Sequence, residues 1–180
     1  KGKIHQAVHT SYMLAIVSGI IMMLFGLFFS YQCLDAIGVP HDILNDASLY
    51  MKLYFLGMIP GAIYNIGSGI LRAVGDSKRP LYYLIICSIV NVVFDFVFVV
   101  ILHKGIAGAA IATFIAQTVC AILVTLQLIF SKDVYQLTLS KIKFHLPVLK
   151  KIVKIGAPAG IQSTMYSIAN IVLQTHINSF

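Results

Sequence analysis

The sequence predicts an all-α protein, a polytopic bundle with about five transmembrane helices. One reason is composition, since 59% of the 180 residues are hydrophobic and only 11% are charged, with a mean hydropathy of +0.91. A soluble domain needs about a quarter of its residues charged to cover its surface. The other reason is that the apolar residues form five blocks. Each block is long enough for a helix to cross the roughly 30 Å hydrocarbon core of a bilayer.

These five blocks are nearly free of charge. The third block holds one charged residue, Asp95, and the helix of the second block is expected to begin early, near Asn45. Each block is too long for a buried strand and has too few polar residues for a surface helix. The blocks are residues 11–34, 53–71, 80–102, 105–131 and 155–175.

Basic residues in the connectors between the blocks predict an orientation. Alternate connectors place 11 Lys and Arg residues on one side of the membrane, against Lys52 and Lys104 on the other. Loops rich in Lys and Arg stay in the cytoplasm. We therefore expect a multi-pass protein of the cell membrane, with the start of this chain in the cytoplasm and the acidic loop 35–46 outside.

The longest connector, residues 132–154, follows the fourth block. Apolar Leu146 and Leu149 alternate there with Lys150 and Lys151, which predicts an amphipathic helix at the inner membrane surface. An ordinary solvated linker is the alternative. The segment that follows, residues 156–160, has the sequence Gly-Ala-Pro-Ala-Gly and predicts a break or a bend near the start of the fifth span.

Several other classes of protein are disfavoured. The net charge of +7 does not indicate nucleic-acid binding, because the basic residues lie between apolar blocks and form no stripe on a soluble face. The three cysteines, Cys33, Cys87 and Cys120, fall inside apolar blocks, so we expect neither a disulfide nor a metal site. Because the chain begins with Lys1 and ends at Phe180 within an apolar block, we expect the remainder of a longer chain as its partner.

Asp95 is the sharpest candidate for a functional residue. A charge near the middle of a bilayer costs about 2.5–3.5 kcal/mol, so such residues face other helices or a wet cavity and are usually functional. Asn91 lies four residues earlier on the same helix face, roughly 6 Å further from the outside. A carboxyl group that gains and loses a proton as its exposure changes is a simple ion-coupling device. A hydrogen bond to a neighbouring helix is the structural alternative.

Polar residues interrupt the other apolar blocks as well. Asn65 needs hydrogen-bonding partners inside the membrane, while the glycines around it favour close helix packing. Thr113 and Gln117 are four residues apart and so share a helix face. In the last block, Gln162 and Asn170 belong to a polar face, which predicts that this face lines a cavity.

Four segments resemble, in order, motifs of the MATE family of multidrug and toxic compound extrusion transporters. They are residues 72–80 (RAVGDSKRP), the pair Asn91 and Asp95, residues 105–113 (GIAGAAIAT) and residues 156–162 (GAPAGIQ). The resemblance extends over essentially the whole chain. It implies a twelve-span protein with two lobes, of which this chain matches spans three to seven.

The resemblance also implies a division of the chain. Residues 1–131 would form most of the N-terminal lobe, with four spans. Residues 132–154 would be the cytoplasmic loop between the lobes, and residues 155–180 the first helix of the C-terminal lobe. MATE proteins export organic, often cationic compounds by alternating access, driven by inward flow of H⁺ or Na⁺, so the resemblance implies no cofactor besides this ion.

In the DinF-like branch of the family, Asn91 and Asp95 match a cluster tied to cation coupling. Tyr50, Asn65 and Thr113 fall where that branch places polar cavity residues, although an aromatic belt at the membrane interface is the alternative for Tyr50. The partner carboxylate of the cluster would lie upstream of this chain. These assignments are implied by the resemblance.

Other functions remain as alternatives. Tyr166 stands where the NorM branch of the family has a Glu, which disfavours a NorM-type cation site. A lipid-linked oligosaccharide flippase of the same superfamily would need deep basic residues for pyrophosphate, and the spans carry none. An intramembrane enzyme would need a paired catalytic set, so we expect no enzyme. A structural membrane subunit would leave Asn91 and Asp95 without a purpose.

Overall fold

The computed structural model of the protein describes the backbone of residues 2–177 and the side chains of residues 2–170. All regular structure in that part of the chain is helical, as predicted. A π-helical segment, Phe96–Ile101, extends the fourth helix, and a 3-10 turn, Leu139–Lys141, precedes the last one. The helices are α1 (Gly2–Ala36), α2 (His41–Leu56), α3 (Met58–Ala73), α4 (Lys78–Asp95), α5 (Gly105–Phe130) and α6 (Leu146–Ile177).

In the part of the chain that the structure describes, four helical stretches are long and apolar enough to cross a membrane. They are α1, α2 together with α3, α4 with its π-helical extension, and α5, and they correspond to the first four predicted blocks. The fifth block lies in α6, which is not among them. Polar residues such as Gln162, Ser163 and Asn170 lower the hydropathy of this helix. The structure therefore supports four of the five predicted spans, and the fifth stays a prediction.

The second span begins at His41 and is divided at Gly57. Pro60 has no N–H to donate to the Leu56 carbonyl oxygen, and its ring crowds that carbonyl group, so a continuous helix is disfavoured here. The Gly57 N–H instead donates to the Tyr54 carbonyl oxygen at 3.0 Å. This tighter turn ends α2 before α3 begins at Met58.

Helix α5 lies at the centre of the bundle. It packs against α2, α3 and α4, while α1 packs against α2 and α3. The small residues Ala110, Ala112 and Ala116 are buried along α5, which lets neighbouring helices approach closely. At Gly67 of α3 the approach is so close that an added Cβ atom would lie 2.7 Å from Val124 Cγ2.

The third and fourth spans form the short-looped hairpin that the sequence predicted. In the π-helical segment before the turn, the Leu102 N–H donates to the Val97 carbonyl oxygen at 2.9 Å. The aromatic and β-branched run Phe96–Ile101 has a weak preference for the α-helix, because its side chains lose χ1 freedom against the preceding turn. His103 and Gly105, with φ angles of 50° and 56°, complete the reversal. The π-helical segment itself was not predicted.

Residues 131–145, between α5 and α6, pack on the bundle. Tyr135 and Leu137 are buried in an apolar core with residues of α1, α3 and α5. The Leu137 N–H donates to the Leu128 carbonyl oxygen at 2.9 Å. The solvated-linker alternative is therefore wrong for this segment, because its apolar side chains complete the core of the helices before it.

Helix α6 runs without a break from Leu146 through Pro158. The break that the sequence allowed at residues 156–160 is absent, because one proline removes a single backbone hydrogen bond and the turns on either side keep theirs. The amphipathic helix expected within residues 132–154 is the beginning of α6, and the residues before it are not α-helical. The division of the chain at residues 131 and 154 stays a prediction.

Candidate functional site

Polar side chains from three helices converge on a cavity of about 320 Å³ between α3, α4 and α5. We call it the polar cavity. The sequence pattern had placed Asn91, Thr113 and Gln117 on polar helix faces. The packing of α5 against α3 and α4 brings these side chains together. No charged residue lines it among the residues that the structure describes. Its polar lining is formed by Tyr64, Asn65, Ser88, Asn91, Thr113 and Gln117.

Asn91 and Thr113 link α4 to α5 beside this cavity. The Asn91 side-chain amide donates to Thr113 Oγ1 at 3.5 Å, and the Thr113 hydroxyl donates to the Ala109 carbonyl oxygen at 3.0 Å. A hydroxyl group has one hydrogen and two lone pairs, so Thr113 can serve both partners at once. The link joins two of the predicted site residues at the wall of the polar cavity.

Asp95 lies one helical turn beyond Asn91, where α4 ends and the π-helical segment begins. Its Oδ1 atom is buried and has no hydrogen-bond partner among the described residues. Asp95 is not part of the lining of the polar cavity. A buried acceptor without a partner costs about 1–3 kcal/mol, and more for a charged group. Such an oxygen is suited to bind a proton, a cation or a donor from a segment outside the described structure.

Gln117 reaches from α5 to the point where the second span is divided. Its Oε1 atom is also buried without a hydrogen-bond partner in the described part of the chain. A Cβ atom on Gly57 would lie 2.5 Å from this oxygen, so any other residue at position 57 would displace the Gln117 side chain. With Gly61 and Asn65, Gln117 also lines a second cavity, of about 250 Å³, between α1 and the second span. These three residues form the wall between the two cavities.

The remaining predicted site residues lie elsewhere. Tyr50 stacks on Tyr54, with ring centroids 6.3 Å apart, and does not line the polar cavity. Gln162 lines a pocket that the side chains of α6 form by themselves, and Asn170 is exposed on the same helix. Gln174, which continues the predicted polar face, lies outside the residues with described side chains. The described structure therefore does not join the polar face of α6 to the polar cavity.

A second hydrogen-bond network was missed by the sequence analysis. The buried side chain of His9 accepts a hydrogen bond at Nε2 from the Thr138 N–H at 3.0 Å, and its Nδ1 lies 2.7 Å from the His5 carbonyl oxygen. A proton on Nδ1 satisfies both contacts, because the Thr138 N–H can only donate and the His5 carbonyl oxygen can only accept. The His145 N–H donates to Thr10 Oγ1 at 3.2 Å. The available signal was a polar pair directly before an apolar block, but its distant partners leave no trace in the sequence.

Comparison with known proteins identifies the family. The MatE family model matches residues 1–97. The chain is 29% identical over 161 residues to the probable multidrug resistance protein YpnP of Bacillus subtilis, covering 86% of this chain and 34% of that protein. It is 25% identical over 187 residues to the probable multidrug resistance protein YoeA of the same organism, covering 99% of this chain and 40% of that protein.

Among solved structures, a MOP superfamily transporter from Pyrococcus furiosus superposes with a TM-score of 0.85 at 26% identity. The match covers 94% of this chain and 38% of that transporter. The chain thus spans roughly a third to two fifths of the length of the relatives it matches. The order of helices, the motifs and the family model agree, and this chain belongs to the MatE family of multi-pass membrane transport proteins.

Proposed function

We propose that this chain forms most of one lobe of an antiporter that exports organic, often cationic compounds across the cell membrane by alternating access. The inward flow of H⁺ or Na⁺ supplies the energy, and the remainder of the transporter supplies the other lobe. Multidrug resistance proteins among the relatives support the substrate class. The DinF-like pattern at Asn91 and Asp95 supports the location of the coupling site.

The single observation that carries this proposal is the state of Asp95. Its buried Oδ1 atom has no partner among the described residues, although the side chain belongs to a membrane-spanning helix. Structural acids in such helices are stabilised by a neighbouring donor, whereas an acid that lacks one is available to bind a proton or a cation. Asn91 lies one turn from Asp95 on α4 and donates to Thr113 of α5, so this pair can transmit a change at Asp95 to the polar cavity.

The polar cavity supports an organic substrate. Its volume of about 320 Å³ is at the lower end of the range for small-molecule sites. Its lining offers amide and hydroxyl oxygens, and these acceptors suit the N–H donors of an organic cation. A pyrophosphate would instead require basic side chains, and the lining residues include none. This contrast disfavours the lipid-linked oligosaccharide flippase.

The proposed orientation follows from the basic connectors. The start of α1 and residues 131–145 would face the cytoplasm, and the turn between α4 and α5 would face outside. Asp95 would then lie nearer than Asn91 to the outer surface, and H⁺ or Na⁺ would enter from that surface.

Efflux by the complete transporter with Asp95→Asn tests the proposal. We expect the variant to reach the membrane in normal amounts and to lose gradient-driven efflux of an organic cation such as ethidium, because asparagine cannot exchange a proton or pair with Na⁺. Imposing a pH gradient and a Na⁺ gradient separately identifies the coupling ion. Asp35→Asn removes the same charge from an exposed position at the end of α1 and should leave efflux unchanged. Full efflux in the Asp95→Asn variant under either gradient would contradict the coupling role.

A further inference from the structure

A large cavity that the transport mechanism does not use lies beside the N-terminal end of α1. It has a volume of about 670 Å³, and three segments form it: the first turns of α1, the turn after α5, and the residues just before α6. We call it the basic cavity. Its charged or ionisable lining residues are His5, Lys132, Asp133, Lys141, Lys143 and His145.

The charges of this cavity are unbalanced. Three lysines face a single acid, Asp133, whose Oδ2 accepts a hydrogen bond from the Ser131 hydroxyl at 3.3 Å. Across the described residues the one ion pair joins Arg79 to Asp76, so the three lysines have no carboxylate partner there. Clustered cations in a concave site produce a positive potential that favours a bound anion.

The backbone that carries these lysines is held in place by buried contacts. Leu137, between Lys132 and Lys141, is buried in the apolar core. Just beyond it, the Thr138 N–H donates to the ring of His9. At the far end, His145 bonds to Thr10. The lysines therefore extend from a fixed frame, which lowers the entropy lost when they close on a ligand.

Exposed apolar side chains lie close in the chain to the residues that line the basic cavity. Phe130, the last residue of α5, is 77% exposed and directly precedes Ser131 and Lys132. Leu139 and Leu146 are 59% and 66% exposed. Apolar side chains at the end of a membrane span, next to lysines, mark the level where acyl chains meet phosphate headgroups. A free inorganic anion would make no use of these apolar neighbours.

We propose that the basic cavity binds the phosphate of an anionic phospholipid. Lys132, Lys141 and Lys143 contact the headgroup, and the acyl chains lie against the exposed apolar side chains nearby. The bound lipid fastens residues 131–145 to the end of α1. This site is independent of the transport reaction, because none of its residues belongs to the polar cavity.

The test uses the complete transporter purified in a neutral detergent. The thermal unfolding midpoint is followed against the concentration of dioleoyl phosphatidylglycerol, with dioleoyl phosphatidylcholine and inorganic phosphate as parallel probes. We expect phosphatidylglycerol to raise the midpoint in a saturable way. Replacing Lys132, Lys141 and Lys143 together by Gln should raise the half-saturating concentration on the order of 100-fold, since each lysine near a membrane surface contributes about fivefold. Lys141→Gln by itself should raise the half-saturating concentration about fivefold. This single variant tests the same contact if the triple variant does not fold.

A second triple variant serves as the control, since replacing Lys150, Lys151 and Lys154 by Gln removes the same charge outside the cavity. These lysines lie on α6 and do not line the basic cavity. We expect this variant to keep the saturable response. Equal losses in the two triple variants, or an equal response to phosphatidylcholine, would overturn the proposal. A response to inorganic phosphate as large as that to phosphatidylglycerol would also overturn it and would indicate a site for a free anion.

Discussion

Leu137→Ala tests whether residues 131–145 belong to the helical bundle. Leu137 is only 1% exposed and packs in the core that α1, α3 and α5 share. The side chain enters this core from a segment without α-helical structure, so its burial is what fastens the segment. If the segment were a solvated linker, truncating one leucine would have little effect.

The size of the effect follows from burial. Replacing a fully buried leucine by alanine costs about 3–5 kcal/mol, because apolar contacts are lost and a cavity remains. At 1.4 kcal/mol for each factor of ten, a loss of about 3 kcal/mol raises the population of the detached segment roughly 150-fold. The increase saturates once the segment is fully detached, so a detachment cost of at least about 1.4 kcal/mol in the original protein gives an increase of about tenfold or more.

Limited trypsin digestion of the complete transporter measures this population. Cleavage after Lys141 or Lys143 requires local detachment of the segment, and its rate follows the detached fraction when reattachment is fast. Leu139→Ala is the matched control, because Leu139 is 59% exposed and its truncation should change the cleavage rate less than about twofold. Equal cleavage rates in the Leu137→Ala and Leu139→Ala variants would refute the reasoning.

Two further pairs of substitutions test the contacts that α5 makes with α3 and with Asn91 of α4. Gly67→Ala would place a Cβ atom 2.7 Å from Val124 Cγ2, so we expect it to lower the free energy of unfolding by about 1–3 kcal/mol. The Cβ atom of Gly69→Ala would meet open space, so that variant should be neutral or slightly more stable in thermal or denaturant unfolding. Equal stability of the two alanine variants would contradict the close approach of α3 and α5. Thr113→Val removes the acceptor of the Asn91 amide and should reduce ion-driven efflux by about tenfold, while Thr113→Ser should retain it. If valine and serine behave alike in the efflux assay, the hydroxyl group has no part in coupling.

Part of the candidate site was predictable because helical spacing is local. Asn91, Thr113 and Gln117 were each assigned to a polar helix face, and the structure brings all three to one cavity together with Asn65. Tyr50 does not line this cavity. It had been assigned to the site from the family resemblance alone, without a pattern that places it on a polar helix face. Asp95 was identified as a candidate because it is a charged residue within an apolar block. That observation requires no knowledge of which helices pack around it.

Other features required the tertiary structure. The unpartnered Gln117 oxygen depends on the turn at Gly57, and that turn depends on how Pro60 divides the second span. A proline in a sequence indicates that a helix is disturbed. It does not indicate which distant side chain will approach the point where the helix is divided.

The sequence by itself determined that this is a membrane protein, where its first four spans lie and which helix faces are polar, because apolar length and helical period are properties of neighbouring residues. Only the tertiary structure decided that residues 131–145 close one end of the bundle and create the basic cavity there. The bond between His9 and Thr138 joins residues 129 positions apart. A contact of that kind depends on the packing of every helix between its two ends, so no local pattern in the chain could have predicted it.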